Sequence, residues 1–149
     1  MEKVLVTGAT GYIALHCIHQ LLNQGYAVNG SLRSPERKDE IIEALKKDNT
    51  PVENLRLFTF NLTEDDGWDE GMEGCDFLLH VASPLSINTH DEDYFVKPAV
   101  SGVKRALKFA KKHNVKKVIL TSSVAAILET GEDKQSVSYT HLTLPTTYH

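Results

Sequence analysis

The stretch from Val4 to Gly25 allows very few chain paths. Val4-Leu5-Val6 is a short apolar run that stops at Thr7-Gly8-Ala9-Thr10-Gly11; from Tyr12 onward, apolar residues recur at Ile13, Ala14, Cys17, Ile18, Leu21 and Leu22 until Gly25. The first run has the character of a buried strand and the second the 3.6-residue stripe of an amphipathic helix. Glycine supplies the turn between them and a favoured stop for the helix. A strand that feeds straight into a helix calls for a second strand parallel to it, because the helix carries the chain back along the sheet.

The rest of the chain repeats that alternation. Tyr26 to Leu32 predicts a second strand, Glu36 to Lys47 a charged amphipathic helix, and Leu55 to Phe60, after Pro51, a third strand. Asp76 to Ala82 is nearly all apolar, as a strand covered on both faces is, and it stops at Ser83-Pro84. Val96, Ala99, Val100, Val103, Leu107 and Ala110 form another helical stripe, with Pro98 expected to kink or start that helix, and Lys117 to Leu120 predicts a fifth strand. The pattern predicts an α/β domain over residues 1–136, a doubly wound parallel sheet truncated after about its fifth strand. From Glu129 the helical period is gone. The Thr/Leu alternation near the end reads either as a short edge strand or, for residues 137–149, as a tail foreign to the domain and similar to a translated sequencing adapter.

Composition narrows the class. At 149 residues the chain is long enough for one domain that buries roughly two-thirds of its unfolded surface. Sixteen basic against twenty acidic residues give a net charge of -4, so no broad basic face awaits nucleic acid. The apolar runs fall far short of the roughly 18 residues that span a bilayer. The start lacks a secretory signal, and two cysteines, Cys17 and Cys75, suit buried thiols in a reducing cytosol. The sequon at Asn61 then has no glycan to carry.

The glycine turn is the first candidate for chemistry. Between a strand and a helix, the backbone amides of Thr7, Gly8, Thr10, Gly11, Tyr12 and Ile13, together with the helix dipole, can meet a pyrophosphate. Gly8 allows the tight turn, Gly11 lets a ligand approach the backbone, and Ala14 is small enough for the helix to lie on the sheet. The plain alternative is a turn that uses glycine only for its conformation. At the tip of the second strand, an acid would bind an adenosine ribose hydroxyl and a cation a 2′-phosphate. This chain places Arg33 there, followed by Arg37 and Lys38, which favours NADP(H) while leaving NAD(H) possible. The competing reading is a solvated charged loop.

The glycine turn, Arg33, Leu78-Leu79-His80-Val81-Ala82-Ser83-Pro84, Lys97-Pro98-Ala99-Val100-Ser101-Gly102 and Val118-Ile119-Leu120-Thr121-Ser122-Ser123-Val124-Ala125-Ala126 together resemble the extended short-chain dehydrogenase/reductases. Within the NAD-dependent epimerase/dehydratase family, the likeness is to the dihydroflavonol-4-reductase-like branch and covers about residues 3 to 128. The resemblance implies a Rossmann-type fold, with Val81, Ala82 and Ser83 along the nicotinamide-side ribose and Ser123, rather than Ser122, as the catalytic serine. Asn61, with Leu62 beside it, stands where relatives place an aspartate against adenine; an amide can still donate and accept there, and a plain turn residue is the alternative. In that family a tyrosine moves the substrate proton and a lysine one helical turn later lowers its pKa. This chain has no Tyr-x-x-x-Lys: Tyr139 is followed four places on by Thr143, and Tyr148 has only His149 after it.

The expected function is therefore the NADP(H)-binding part of a reductase acting on a small-molecule carbonyl compound. A sugar-nucleotide epimerase or dehydratase using NAD, and a non-catalytic dinucleotide sensor, are the alternatives. Whether the chain is itself an enzyme turns on the missing motif, and neither the substrate nor the oligomeric state is legible. Among the other candidates, His16 and His19 read as solvated histidines with too few partners for a metal, and His80 as a neutral core histidine. Trp68, in the acidic run Glu64 to Glu70, reads as the anchor of a surface turn. Lys104, Lys108, Lys111, Lys112, Lys116 and Lys117 read as a solvated helix edge.

Overall fold

The structure, a computed structural model, describes residues 1–83 and 92–124. In chain order the elements are β1 (Lys3–Val6), α1 (Tyr12–Asn23), β2 (Ala27–Leu32), a single 3-10 turn at Pro35–Arg37, α2 (Lys38–Lys47), β3 (Leu55–Thr59), α3 (Trp68–Met72), β4 (Phe77–His80), α4 (Glu92–Lys112) and β5 (Lys117–Leu120). All five strands run parallel in the order β3-β2-β1-β4-β5. The chain thus winds outward from β1 through β2 to β3, then returns to the other side of β1 for β4 and β5. The reversal leaves a topological switch point between β1 and β4 at the carboxyl edge of the sheet.

Strand alternation divides the core between two faces. Val4 and Val6 of β1 join Ala14, Ile18 and Leu22 of α1, Val28 and Leu32 of β2, and Ile41 and Leu45 of α2. Leu5 points the other way, into a second cluster with Trp68 and Met72 of α3, Leu78 of β4, and Ala106, Phe109 and Ala110 of α4. Helices therefore cover both faces, as the alternation predicted.

Several readings are refined here. Trp68, read as the anchor of a surface turn, opens the short helix α3 and anchors the exposed residues before it from a fully buried position: it stacks on Phe109 with ring centroids 5.8 Å apart, lies 4.6 Å from the Phe60 ring, and donates its indole N–H to the Asn61 carbonyl. The helix expected to start or kink at Pro98 does not start there: it begins at Glu92, and Pro98 lies inside it. Lys108, Lys112 and Lys116 are solvated as expected, and they also have acidic partners: Lys108 and Arg105 meet Asp65, Lys112 and His113 meet Asp69, and Lys116 meets Asp76. Exposed pairs of this kind contribute little each, but those of Asp65 and Asp69 together tie α3 and the connection before it to α4 and its end. His19 also differs from expectation, since its Nδ1 lies 2.6 Å from the Thr50 hydroxyl. No helix among the described residues is long and apolar enough to cross a membrane. Residues 137–149, with Tyr139 and Tyr148, lie outside the described residues, as does Pro84.

Candidate dinucleotide site

The glycine turn leaves β1 at Thr7 and enters α1 at Tyr12. Ser31, buried in β2, holds it from below: the Ser31 carbonyl accepts the Ala9 amide at 2.7 Å and its hydroxyl accepts the Gly8 amide at 3.1 Å. The Gly11 amide turns back to the Gly8 carbonyl at 2.8 Å. With those inner amides used, Thr10, Tyr12 and Ile13 keep backbone N–H groups that no backbone carbonyl among the described residues accepts. No acid stands in the first turn of α1 and no side chain caps it, so the positive end of the helix dipole is left uncompensated. The turn has the donors and the field that an anion such as a pyrophosphate requires.

Gly8 is needed twice over. Its φ of +78° is the left-handed region, and a Cβ there would stand 3.0 Å from the Ala82 Cβ and 3.1 Å from the Ala82 Cα. The turn after β1 and the segment after β4 therefore lie against each other at the switch point, which is the reason for glycine at this position beyond its conformation.

The predicted residues come to the carboxyl edge in strand order. Asn61 and Leu62 follow β3, Arg33 follows β2, the glycine turn follows β1, Val81 to Ser83 follow β4, and Ser123 comes three residues after β5. With strands about 4.8 Å apart, this edge spans roughly 19 Å. An extended two-headed ligand laid along it would meet Asn61 and Arg33 first, the turn in the middle and Ser123 last.

Individual residues divide into those on the surface and those beneath it. Tyr12 is 79% exposed; Ile13, Arg33, Ser83 and Ser123 are exposed as well. Among the described residues Arg33 has no carboxylate partner, whereas Arg37 is committed to Glu40 through two bonds of 2.6 and 2.7 Å. That pair holds the Glu40 carboxyl below its usual range. Lys38 opens α2, half-buried. The Asn61 side-chain oxygen accepts the Thr63 amide. Leu62 would meet any Cβ added at Gly102 at 3.2 Å, and its carbonyl accepts from the Arg105 guanidinium. Thr7 is different: it is fully buried, and its hydroxyl is engaged with His80, Val81 and Ala82. Its side chain has no surface to offer a ligand and serves the wall of the crevice instead.

Sequence reasoning passed over Ser31 and Thr121. The Thr121 hydroxyl lies 3.2 Å from the His80 carbonyl and 3.4 Å from that of Val81. A hydroxyl at a strand position surrounded by apolar residues needs a partner, and that was the available signal for Ser31.

A parallel sheet of this order, wound in both directions from β1 and carrying a glycine turn at its switch point, defines a Rossmann-type α/β protein. A model of the NAD dependent epimerase/dehydratase family matches residues 4–148, and the chain belongs to that family. It is 38% identical over 128 residues to the anthocyanidin reductase of Arabidopsis thaliana, covering 85% of this chain and 37% of that protein. It is 33% identical over 123 residues to the dihydroflavonol 4-reductase of Dianthus caryophyllus, covering 82% and 34%. Among solved structures, the yeast methylglyoxal/isovaleraldehyde reductase Gre2 complexed with NADPH superposes with a TM-score of 0.74 at 32% identity, over 85% of this chain and 39% of that one. The chain thus spans less than two-fifths of the length of each of these three relatives.

Proposed function

We propose that the chain is the NADP(H)-binding part of a reductase that transfers hydride between NADPH and a small-molecule carbonyl or alcohol. The observation that carries this reading is Arg33: exposed at the tip of β2, without a carboxylate partner among the described residues, beside a turn with unused amides. The relatives named as reductases, and the NADPH in the Gre2 complex, support it. In this reading the amides of Thr10, Tyr12 and Ile13 hold the pyrophosphate, Arg33 and Lys38 meet the 2′-phosphate, and Asn61 and Leu62 flank the adenine. Val81 to Ser83 follow the second ribose. The nicotinamide, when bound, supplies or takes the hydride. Ser123 then orients the carbonyl, while the proton donor is the tyrosine of a Tyr-x-x-x-Lys motif that these 149 residues do not contain.

We place this activity in the cytosol. Both cysteines are free, and burial pushes the Cys75 thiol up to about 11, which keeps it protonated and inert. Arg33→Asp tests the cofactor assignment. The ratio of NADPH to NADH affinity, read by fluorescence titration, is expected to fall about tenfold or more, because a bidentate charge-assisted contact is replaced by repulsion. An unchanged ratio would overturn the assignment.

A further inference from the structure

The end of β4 is held by an arrangement that a count of protons and lone pairs resolves. Thr7 Oγ1 lies 3.1 Å from the Val81 amide, 3.0 Å from the Ala82 amide and 3.0 Å from His80 Nδ1. A hydroxyl has one proton and two acceptor lone pairs. Both amides can only donate, so they occupy both lone pairs, and the hydroxyl proton is left for His80. His80 Nδ1 must then accept, which places the imidazole proton on Nε2.

We infer that His80 is a positioning residue for the dinucleotide crevice: a neutral imidazole in the Nε2–H form takes the Thr7 hydroxyl proton and thereby aims both Thr7 lone pairs at the amides of Val81 and Ala82. This inference rests on the dinucleotide reading above for its consequence, though not for its geometry. A threonine hydroxyl otherwise rotates freely and can satisfy its proton elsewhere, at the expense of one of those amides. With His80 accepting, the backbone of Val81 and Ala82 is fixed at the place where Ala82 meets Gly8. Thr121 restrains the opposite side of the same segment, with its amide on the His80 carbonyl at 3.1 Å and its hydroxyl near the His80 and Val81 carbonyls. His80 is only 2% exposed and its ring lies 6.3 Å from that of Trp68, so the second core cluster sets the ring's position. Burial alone lowers its pKa, in keeping with a ring that stays neutral.

The test has two independent arms in the full chain. Long-range proton–nitrogen correlation on ring-labelled histidine at about pH 7.5 is expected to show His80 Nδ1 with a pyridine-type shift and Nε2 with a pyrrole-type shift. The reverse tautomer, or an imidazolium, would overturn the proposal. In the second arm NADPH is titrated against two variants. His80→Asn puts a side-chain oxygen near the Nδ1 position and is expected to bind within about threefold of the parent, whereas His80→Phe keeps a ring without an acceptor and is expected to lose about tenfold. Thermal melting of both variants separates loss of fold from loss of aim, and rescue by Asn is what a purely space-filling role would not produce. Equal binding by the Phe variant and the parent would sink the proposal. If the parent itself failed to bind NADPH, the cofactor reading would fall while the tautomer measurement still decided the role of His80.

Discussion

β2 and β5 belong to one parallel sheet and differ in nearly everything that surrounds them. β2 lies between β1 and β3, and five of its six residues, Val28 to Leu32, are buried. Among the described residues β5 pairs only with β4, and three of its four residues are exposed. Leu32 is 2% exposed and Leu120 is 49% exposed, although both are leucines at the carboxyl ends of parallel strands. Neighbouring α4 repeats the contrast within one helix: Ala106, Phe109 and Ala110 are buried, while Val96, Val100 and Leu107 are not. Burial here follows from what stands beside a residue and not from apolar pattern alone, since the exposed β5 is the more apolar of the two strands. An apolar edge strand is also a template for association with another chain.

The comparison can be broken most severely at β2. Leu32→Ala is expected to cost about 2–5 kcal/mol, as truncation in a closed core does, and urea denaturation measures it. Gly8→Ala comes next, at about 1–3 kcal/mol, because the new Cβ meets both a left-handed backbone and Ala82; loss of NADPH binding should accompany the lowered midpoint. A smaller effect is expected from acid. The folded pKa of His80 is lowered by burial, with no charged neighbour contributing, so the folded state binds fewer protons than the unfolded one and stability falls as pH drops below about 6.5. Melting curves taken across that range should show the decline in the parent and a weaker one in His80→Asn. Leu120→Ala should do least, less than about 1 kcal/mol. A cost equal to that of Leu32→Ala would mean that β5 is covered in solution.

The fold was legible wherever burial acts locally. The five strands, α1, α2 and α4 all followed from apolar period and turn residues, because each presents a regular face to the sheet. α3 did not, since five residues flanked by acids and a glycine contain no full period, and the tryptophan that opens it owes its burial to Phe60 and Phe109. The surface of the candidate site was equally legible: the turn, Arg33 and the segment after β4 stand at strand ends, where the chain order alone puts them. What holds the site together was not. The Thr7–His80 bond joins residues 73 apart, Ser31 acts on a turn more than twenty residues before it, and the pairing of Asp65 with Arg105 and Lys108 crosses the whole of β4. Sequence pattern shows which residues want partners, and only the winding of the chain shows which partners they meet.

That winding also sets a schedule for synthesis. β1 is the central strand of the sheet and is made before the other four, and its second edge pairs with a strand some 73 residues later. Its first partner, Val28 of β2, comes much sooner than Phe77 of β4, so at translation speeds of about 5–20 residues per second the nascent chain carries β1 half-paired for roughly 2–10 s. The molecule's innermost strand is therefore, for that interval on the ribosome, an open edge, and how soon β4 arrives to close it decides whether the growing chain keeps to itself.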